Sequence, residues 1–230
     1  YASGNLLSAN YYTESILQSI LPLDSHNPQF ASHLSIISES FLLKPSVIET
    51  DTSEITNYLI KEVLLNNELI SDDEKKRDNN EENNGDENND TKNNDTNNNK
   101  DLWITDEDLE AGKFNACYAK ILALRIFVNR LTALDRDNKD IDNTTLANMV
   151  LKLLVSCIGN GGELVGESIT PTPAPVQSRL RLAAGLMLLK LSKVPTYNRM
   201  LKPQTISHLV LLVQDENPKV RAEFAGSLQN

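Results

Sequence analysis

Residues 161–168, GGELVGES, have the spacing that comes nearest to a catalytic or ligand-binding motif in this sequence. Their glycines and serine match a phosphate-binding loop, which also needs a lysine immediately before the serine. Glu167 stands in that position, and its carboxylate would repel a phosphate group. No buried strand is predicted ahead of the loop. We therefore interpret the segment as a helix C-terminus followed by a loop, not as a nucleotide site.

Residue types that bind metal ions do not occur at metal-binding spacings. Three histidines are scattered along the chain, which predicts surface or capping roles: His26, His33 and His208. Four acids fall within a short polar segment: Asp135, Asp137, Asp140 and Asp142. They lack the central glycine and the final glutamate of a calcium-binding loop. We expect neither a metal ion nor a cofactor.

Cys117 and Cys157 are the two thiols of the chain, and both lie in apolar helical patterns. Neither has a nearby base in the sequence that would make it a nucleophile. Two cysteines are too few for a disulfide framework, which favours a reducing compartment. Because no catalytic constellation is visible, we predict that the protein is not an enzyme.

Basic residues concentrate towards the end of the sequence and are the best candidates for a binding site. The predicted partner-binding residues are Arg179, Arg181, Lys190, Lys219 and Arg221. Such a polar rim suits an extended or helical peptide lying across packed helices. Roles in turn contacts, helix capping and solubility are the alternative. Arg221 is the member most expected to be structural, through Asp215.

The elements that must position these residues are all predicted to be helices. Residues 176–191, VQSRLRLAAGLMLLKL, are apolar over most of the helical circumference, so this helix must be covered on several sides. Further apolar helical patterns occupy residues 12–21, 27–43, 54–66, 113–134, 145–157, 203–213 and 218–230. No stretch alternates as a strand would. The sequence therefore predicts an all-α protein.

Charge and hydropathy exclude some classes of partner. The 230 residues carry a formal net charge of −10, with a pI near 4.8. Ten acids and five bases lie in residues 71–100, so the rest of the chain is only mildly acidic. This balance argues against tight, direct binding to a nucleic acid backbone. No apolar run approaches the roughly 18 residues that a membrane span needs.

Residues 71–100 divide the sequence in two. They are almost entirely Asn, Asp, Glu and Lys, and cannot bury enough apolar surface to offset the entropy of ordering. We predict a disordered insertion at 71–100, with helices of one continuous solenoid at 1–70 and 101–230. Because the chain starts without methionine and stops within a helical pattern, we expect it to be a segment of a longer protein.

The final two helical patterns indicate how the helices are arranged. Residues 209–228, LVLLVQDENPKVRAEFAGSL, have the pattern of a HEAT repeat, in which Asp215 caps the second helix while Arg221 reaches back to the turn. The helix at 176–191 pairs in the same way with residues 145–157, and Gly185 lets a neighbouring element approach closely. We predict a HEAT-repeat α-solenoid, a right-handed superhelical stack of antiparallel helix pairs.

Four segments resemble one protein family, both in their residues and in their order along the chain. They are residues 27–41, Leu102-Trp103 with the acids that follow, the run SRLRLAAG at 178–185, and Asp215-Glu216 ahead of Val220-Arg221. The chain resembles a middle portion of the precocious-dissociation-of-sisters family of cohesin-associated regulators. Two departures are the long Asn-rich tract and the apparent insertion at 43–53, and the tract suggests a budding-yeast-like member.

The resemblance implies a non-enzymatic scaffold that binds the cohesin kleisin subunit and regulates sister chromatid cohesion, its maintenance and its release. It also implies cooperation with the release factor Wapl and with the cohesin acetyltransferase. The expected location is the nucleus, on chromosomes, through cohesin instead of direct base reading.

A different class of function remains open. A HEAT-repeat transport or coat adaptor, such as a karyopherin, would use the acidic body to bind a basic cargo.

Overall fold

The computed structural model describes residues 2–43, 45–48, 51–70, 103–137, 143–166 and 170–229. Its elements in chain order are α1 (Ala2–Ile20), α2 (Phe30–Leu43), α3 (Pro45–Ile48), α4 (Thr52–Tyr58), a π-helical segment (Leu59–Leu64), α5 (Asp106–Glu110), α6 (Asn115–Asp137), α7 (Thr144–Gly159), α8 (Ala174–Ser192), α9 (Pro195–Asn198), α10 (Pro203–Val213) and α11 (Pro218–Ser227). The insertion at 71–100 lies outside the described residues, so its disorder and the domain limits stay predictions.

Local sequence explains where several helices begin. The first turns of α8, α9, α10 and α11 contain Pro175, Pro195, Pro203 and Pro218. A proline is favourable there because its missing N–H would have no helical partner and its φ is already helical. By contrast, α5 begins with a capping box, in which the Thr105 hydroxyl accepts a hydrogen bond from the Asp108 N–H at 3.1 Å.

The main helices pack in consecutive pairs: α1 with α2, the π-helical segment with α6, α7 with α8, and α10 with α11. Two contacts show that the middle pairs are antiparallel. Lys120, near the start of α6, bonds the carbonyl of Leu64 at the end of the π-helical segment. Cys157, near the end of α7, lies 3.7 Å from the carbonyl oxygen of Leu180, near the start of α8.

The second helices of these pairs, α2, α6, α8 and α11, pack side by side, and we call them the inner layer. Ala31 and Ala116, near the N-termini of α2 and α6, line one cleft. Towards their C-termini, the Asn129 amide donates to the Ser38 carbonyl at 3.1 Å, and the Lys190 ammonium donates to Asn129 at 2.8 Å. Helices α2 and α6 are therefore parallel. Paired helices stacked in this way form an all-α HEAT-like solenoid, as predicted.

Helix α8 is covered on most of its circumference by α6, α7, α10 and α11, as its sequence predicts. Gly185 lies at one close contact of this helix. A Cβ atom there would lie 2.2 Å from a methyl carbon of Leu212 and 3.2 Å from the ring of Phe224. The expected close approach is thus confirmed, and it is made by α10 and α11 together.

Replacing residues 71–100 with a short Gly-Ser linker should shift the thermal melting midpoint by no more than about 2 °C, because loop closure entropy changes slowly with loop length. Differential scanning calorimetry of the two chains would measure the shift. A drop of about 10 °C or more would show that the tract packs against the solenoid.

Candidate functional site

Three cations occupy equivalent places near the starts of the inner helices α6, α8 and α11. Each donates to a main-chain carbonyl at, or just after, the end of the helix that precedes it in its pair: Lys120 to Leu64 (2.8 Å), Arg181 to Gly161 (2.7 Å) and Arg221 to Asp215 (2.6 Å). No further helical N–H follows these carbonyls, so the cations satisfy them. We call this series the turn ladder.

Arg181 extends the ladder from one helix pair to the next. Its Nε and Nη2 atoms bond the two carboxylate oxygens of Asp215 at 2.7 and 2.8 Å, in bidentate geometry. Both side chains are buried, with 7% and 5% of their surfaces exposed. Because the Gly161 carbonyl and Asp215 belong to consecutive pairs, this arginine fixes the relative position of their two turns.

The start of α11 differs from the sequence prediction in one respect. Its cap is Asn217, whose side-chain oxygen accepts from the Lys219 N–H at 2.9 Å. Pro218 in the first turn leaves the capping position to Asn217. Asp215 supports this cap by accepting from the Asn217 N–H, while its carboxylate pairs with Arg181. Arg221 does reach back to the turn as predicted, but it bonds main-chain carbonyls there.

Lys120 makes the corresponding contact from a buried position, where the charged form of a lysine is disfavoured. Only 1% of its surface is exposed, and burial lowers its pKa to about 8, against a partly compensating attraction from Glu163. Burial alone would raise the pKa of Glu163, but hydrogen bonds, chiefly from Thr172, outweigh it and lower the pKa. Glu163 thus remains an anion. It lies in the turn between α7 and α8, which form the next helix pair after the one that contains Lys120.

A groove of about 460 Å³ lies on the inner layer, between α2, α6 and α8, and we call it the inner groove. Its floor is apolar and is formed by Leu42, Ile121, Val128, Leu182, Ala183, Leu186 and Met187. Its rim is charged and carries Glu39, Asp106, Arg125, Arg179, Lys190 and Glu223. An apolar floor with charges of both signs at its edges suits a peptide better than a polyanion.

Arg179 closes one end of the inner groove. Its guanidinium lies 5.0 Å from the centre of the Trp103 ring and forms an ion pair with Asp106. Only 9% of this side chain is exposed, whereas Asp106 is largely exposed. The Nε atom of Arg179 is buried and has no hydrogen-bond partner. Arg179 therefore has a fixed position and one unused donor.

Lys190 and Arg125 lie towards the other end of the inner groove. The Lys190 ammonium donates to Asn129, and its pKa is lowered by burial and by repulsion from Arg125. Arg125 is the one exposed residue from Ala119 to Asn129, so it projects from an otherwise buried stretch of α6.

The five basic residues predicted as a partner-binding surface do not share one surface. Arg179 and Lys190 line the inner groove. Arg181 and Arg221 are held in the turn ladder. Lys219 is exposed at the start of α11. Arg125 also lines the inner groove and was not among the predicted residues. Its signal in the sequence is a charge inside the apolar run KILALRIFV at 120–128.

The Cys157 thiol is buried on α7. Burial raises the pKa of the Cys157 thiol to about 12, so it stays protonated at neutral pH. Across the ranges given above, no group of three or more His, Cys, Asp or Glu side chains is arranged to hold a metal ion. None of the helices described is long and apolar enough to cross a lipid bilayer.

Comparison with known proteins decides the family. A family model described as "Sister chromatid cohesion protein PDS5 protein" matches residues 4–230. The chain belongs to the PDS5 family. This match confirms the resemblance first seen in the run SRLRLAAG and the segments around it.

Individual PDS5 relatives extend over different parts of the chain. The Sister chromatid cohesion protein PDS5 of Saccharomyces cerevisiae is 32% identical over 216 residues, which are 92% of this chain and 15% of the relative. Sister chromatid cohesion protein pds5 of Schizosaccharomyces pombe is 33% identical over 127 residues, covering 55% of the chain and 10% of the relative. Human PDS5 homolog A is 29% identical over 127 residues, with 55% and 9% coverage. The chain thus spans a small part of these relatives.

Replacing Arg181 with Met should lower the free energy of unfolding by about 3–5 kcal/mol, because Asp215 would be left buried and unpaired. Urea unfolding would measure the loss, and the added change Asp215→Asn should recover part of it. The exposed Lys219→Met is the matched control and should stay within about 0.5 kcal/mol. A loss below about 1 kcal/mol for Arg181→Met would contradict this role.

Stability should rise with pH because of Lys120. Its pKa is about 8 in the folded protein and 10.5 when exposed, so the unfolded chain binds more protons between these values. The free energy of unfolding should therefore gain roughly 1.5 kcal/mol from about pH 8 to about pH 9.5. Urea unfolding across this range should show the gain in the parent chain and in the exposed control Lys152→Met, but not in Lys120→Met. An equal slope in all three would reject the assignment.

Proposed function

We propose that this PDS5 segment is a non-enzymatic scaffold in a regulator of sister chromatid cohesion, and that its inner groove binds a segment of the cohesin kleisin subunit. The observation that carries the proposal is the shape and chemistry of the groove. It offers an apolar floor for the hydrophobic side chains of a peptide and charges on both sides for the polar ones.

Rigidity supports this proposal. The turn ladder fixes the positions of the helix pairs at one end of the inner layer. Asn129 links three inner helices at the other end, through Ser38 of α2 and Lys190 of α8. A surface held at both ends loses little conformational entropy when a peptide binds, which favours affinity.

The wider partners follow from the family resemblance and are proposed with it. We infer that the parent protein works with the release factor Wapl in removing cohesin, and with the cohesin acetyltransferase in maintaining cohesion. It would act in the nucleus, on chromosomes, and reach chromatin through cohesin. The net charge of −10 and the three carboxylates at the rim of the groove, Glu39, Asp106 and Glu223, support indirect association with DNA.

The alternative adaptor function receives less support from the groove. A basic cargo would favour a continuous acidic surface, whereas Arg125, Arg179 and Lys190 place positive charge along this one. Membership of the PDS5 family also favours the proposed cohesin-binding function over the adaptor function. Binding assays with a Ran-type GTPase would distinguish the two functions, since a karyopherin binds it and a cohesin scaffold does not.

Leu186→Glu in the intact protein should weaken kleisin binding by about tenfold or more, because it places a charge on the apolar floor. Ala183→Glu, one turn earlier on α8, should do the same. Isothermal titration calorimetry with the purified kleisin subunit would measure the affinities, and thermal melting would confirm that each variant is folded.

Met149→Glu on the exposed face of α7 provides the matched control and should bind like the parent protein. If kleisin fails to bind the intact protein, or if both folded groove variants bind it normally, the proposed function is wrong.

A further inference from the structure

Arg125 and Lys190 place two positive charges on the rim of the inner groove. No carboxylate in the ranges given above forms an ion pair with either side chain. Both side chains line the inner groove, Arg125 from α6 and Lys190 from α8. Consistent with this placement, burial and then repulsion from Arg125 lower the pKa of Lys190. Two like charges held together beside an apolar floor raise the local affinity for an anion.

Hydrogen bonds hold one member of this pair, the Lys190 side chain, in position. The Lys190 ammonium bonds the Asn129 side-chain oxygen at 2.8 Å, and the Asn129 amide nitrogen bonds both the hydroxyl and the carbonyl of Ser38. Asn129 and Ser38 are buried, so this chain of hydrogen bonds lies in a protected environment. Lys190 is consequently held at the rim instead of extending freely into solvent.

The three rim carboxylates indicate how large the anion is. Glu39 is close enough to raise the pKa of Lys190, although burial and Arg125 outweigh it. Asp106 and Glu223 lie on the same rim. A polyanion such as DNA would be repelled by all three, whereas a single carboxylate could approach the two cations alone. The charges therefore suit a peptide with one acidic side chain at this point.

The length of the groove sets the size of the peptide. Arg179 and Lys190 line its two ends and are eleven positions apart on α8, which corresponds to about 16 Å at 1.5 Å per residue. A bound helix of about three turns covers that distance. Helices α6 and α8 pack against each other, and their apolar residues give such a helix a floor to lie on.

We infer that Arg125 and Lys190 together form the acceptor for one Asp or Glu side chain of an amphipathic helical peptide bound in the inner groove. The inference rests on the proposed function and specifies which chemical feature the kleisin segment must present. Its apolar side chains pack on the floor between Arg179 and Lys190. Its carboxylate lies between Arg125 of α6 and Lys190 of α8.

A charge-swap experiment tests this inference with the intact protein. Each Asp and Glu of the purified kleisin subunit is changed singly to Lys, and every variant is titrated against the parent protein and against the double variant Arg125→Glu/Lys190→Glu. One kleisin variant should lose about tenfold or more in affinity for the parent protein. The same variant should recover that affinity with the double variant. Lys152→Glu on α7 is the matched control for charge and should change neither titration.

The outcomes separate this inference from the proposed function. If Leu186→Glu abolishes kleisin binding but the double variant binds normally, the groove is the binding site and the carboxylate acceptor is wrong. If the double variant weakens binding but no kleisin variant restores it, the acceptor is also wrong. If the double variant instead loses affinity for a duplex DNA probe and retains kleisin, the pair serves a polyanion and the inference is overturned.

Discussion

The buried ion pair between Arg181 and Asp215 is the interaction on which the arrangement of the last two helix pairs depends. Apolar helices attract one another over broad surfaces, and such contacts tolerate sliding and rotation. A bidentate guanidinium–carboxylate pair is directional, and when buried it is costly to break. Because Arg181 also bonds the carbonyl of Gly161, it joins its own turn to the next one and fixes the register between them.

The same logic recurs in weaker form along the chain. Lys120 donates to the carbonyl of Leu64 at the end of the preceding helix, as Arg181 does to Gly161. Lys120 also attracts Glu163 in the following turn, as Arg181 attracts Asp215. Burial of the Lys120 ammonium is unfavourable, and the lowered pKa of this group is a consequence of that burial. The turn ladder is therefore a repeated device whose members differ in strength.

Much of the fold follows from local sequence, but the assignment of its polar contacts does not. The apolar spacing of residues 176–191 predicts an enclosed helix, and the prolines predict helix starts, since both act within one or two turns. The partner of Asp215 is 34 residues away in sequence and depends on how two helix pairs stack. From the sequence alone, Asp215 is therefore expected to interact with the nearest groups, which are the N-terminus of α11 and Arg221.

The inner groove was harder to predict for the same reason. Its residues come from α2, α5, α6, α8 and α11, and only the stacking of the helix pairs brings them together. Arg125 lies alone in an apolar run, and its role depends on Lys190, which is 65 positions later in the chain. The family resemblance points to a partner, but it does not indicate which surface the partner contacts.

The run SRLRLAAG at 178–185 shows why basic residues that are close in sequence serve different purposes. Residues two positions apart on a helix are rotated by about 200° around its axis, so they point in nearly opposite directions. Arg179 therefore faces the inner groove while Arg181 faces the turns, and Leu180 and Leu182 between them are buried. About two turns of helix thus contribute both to the rim of the inner groove and to the ion pair that holds the groove in place. Loss of partner binding on changing Arg179 and Arg181 together would not separate these two roles, whereas changing each alone would.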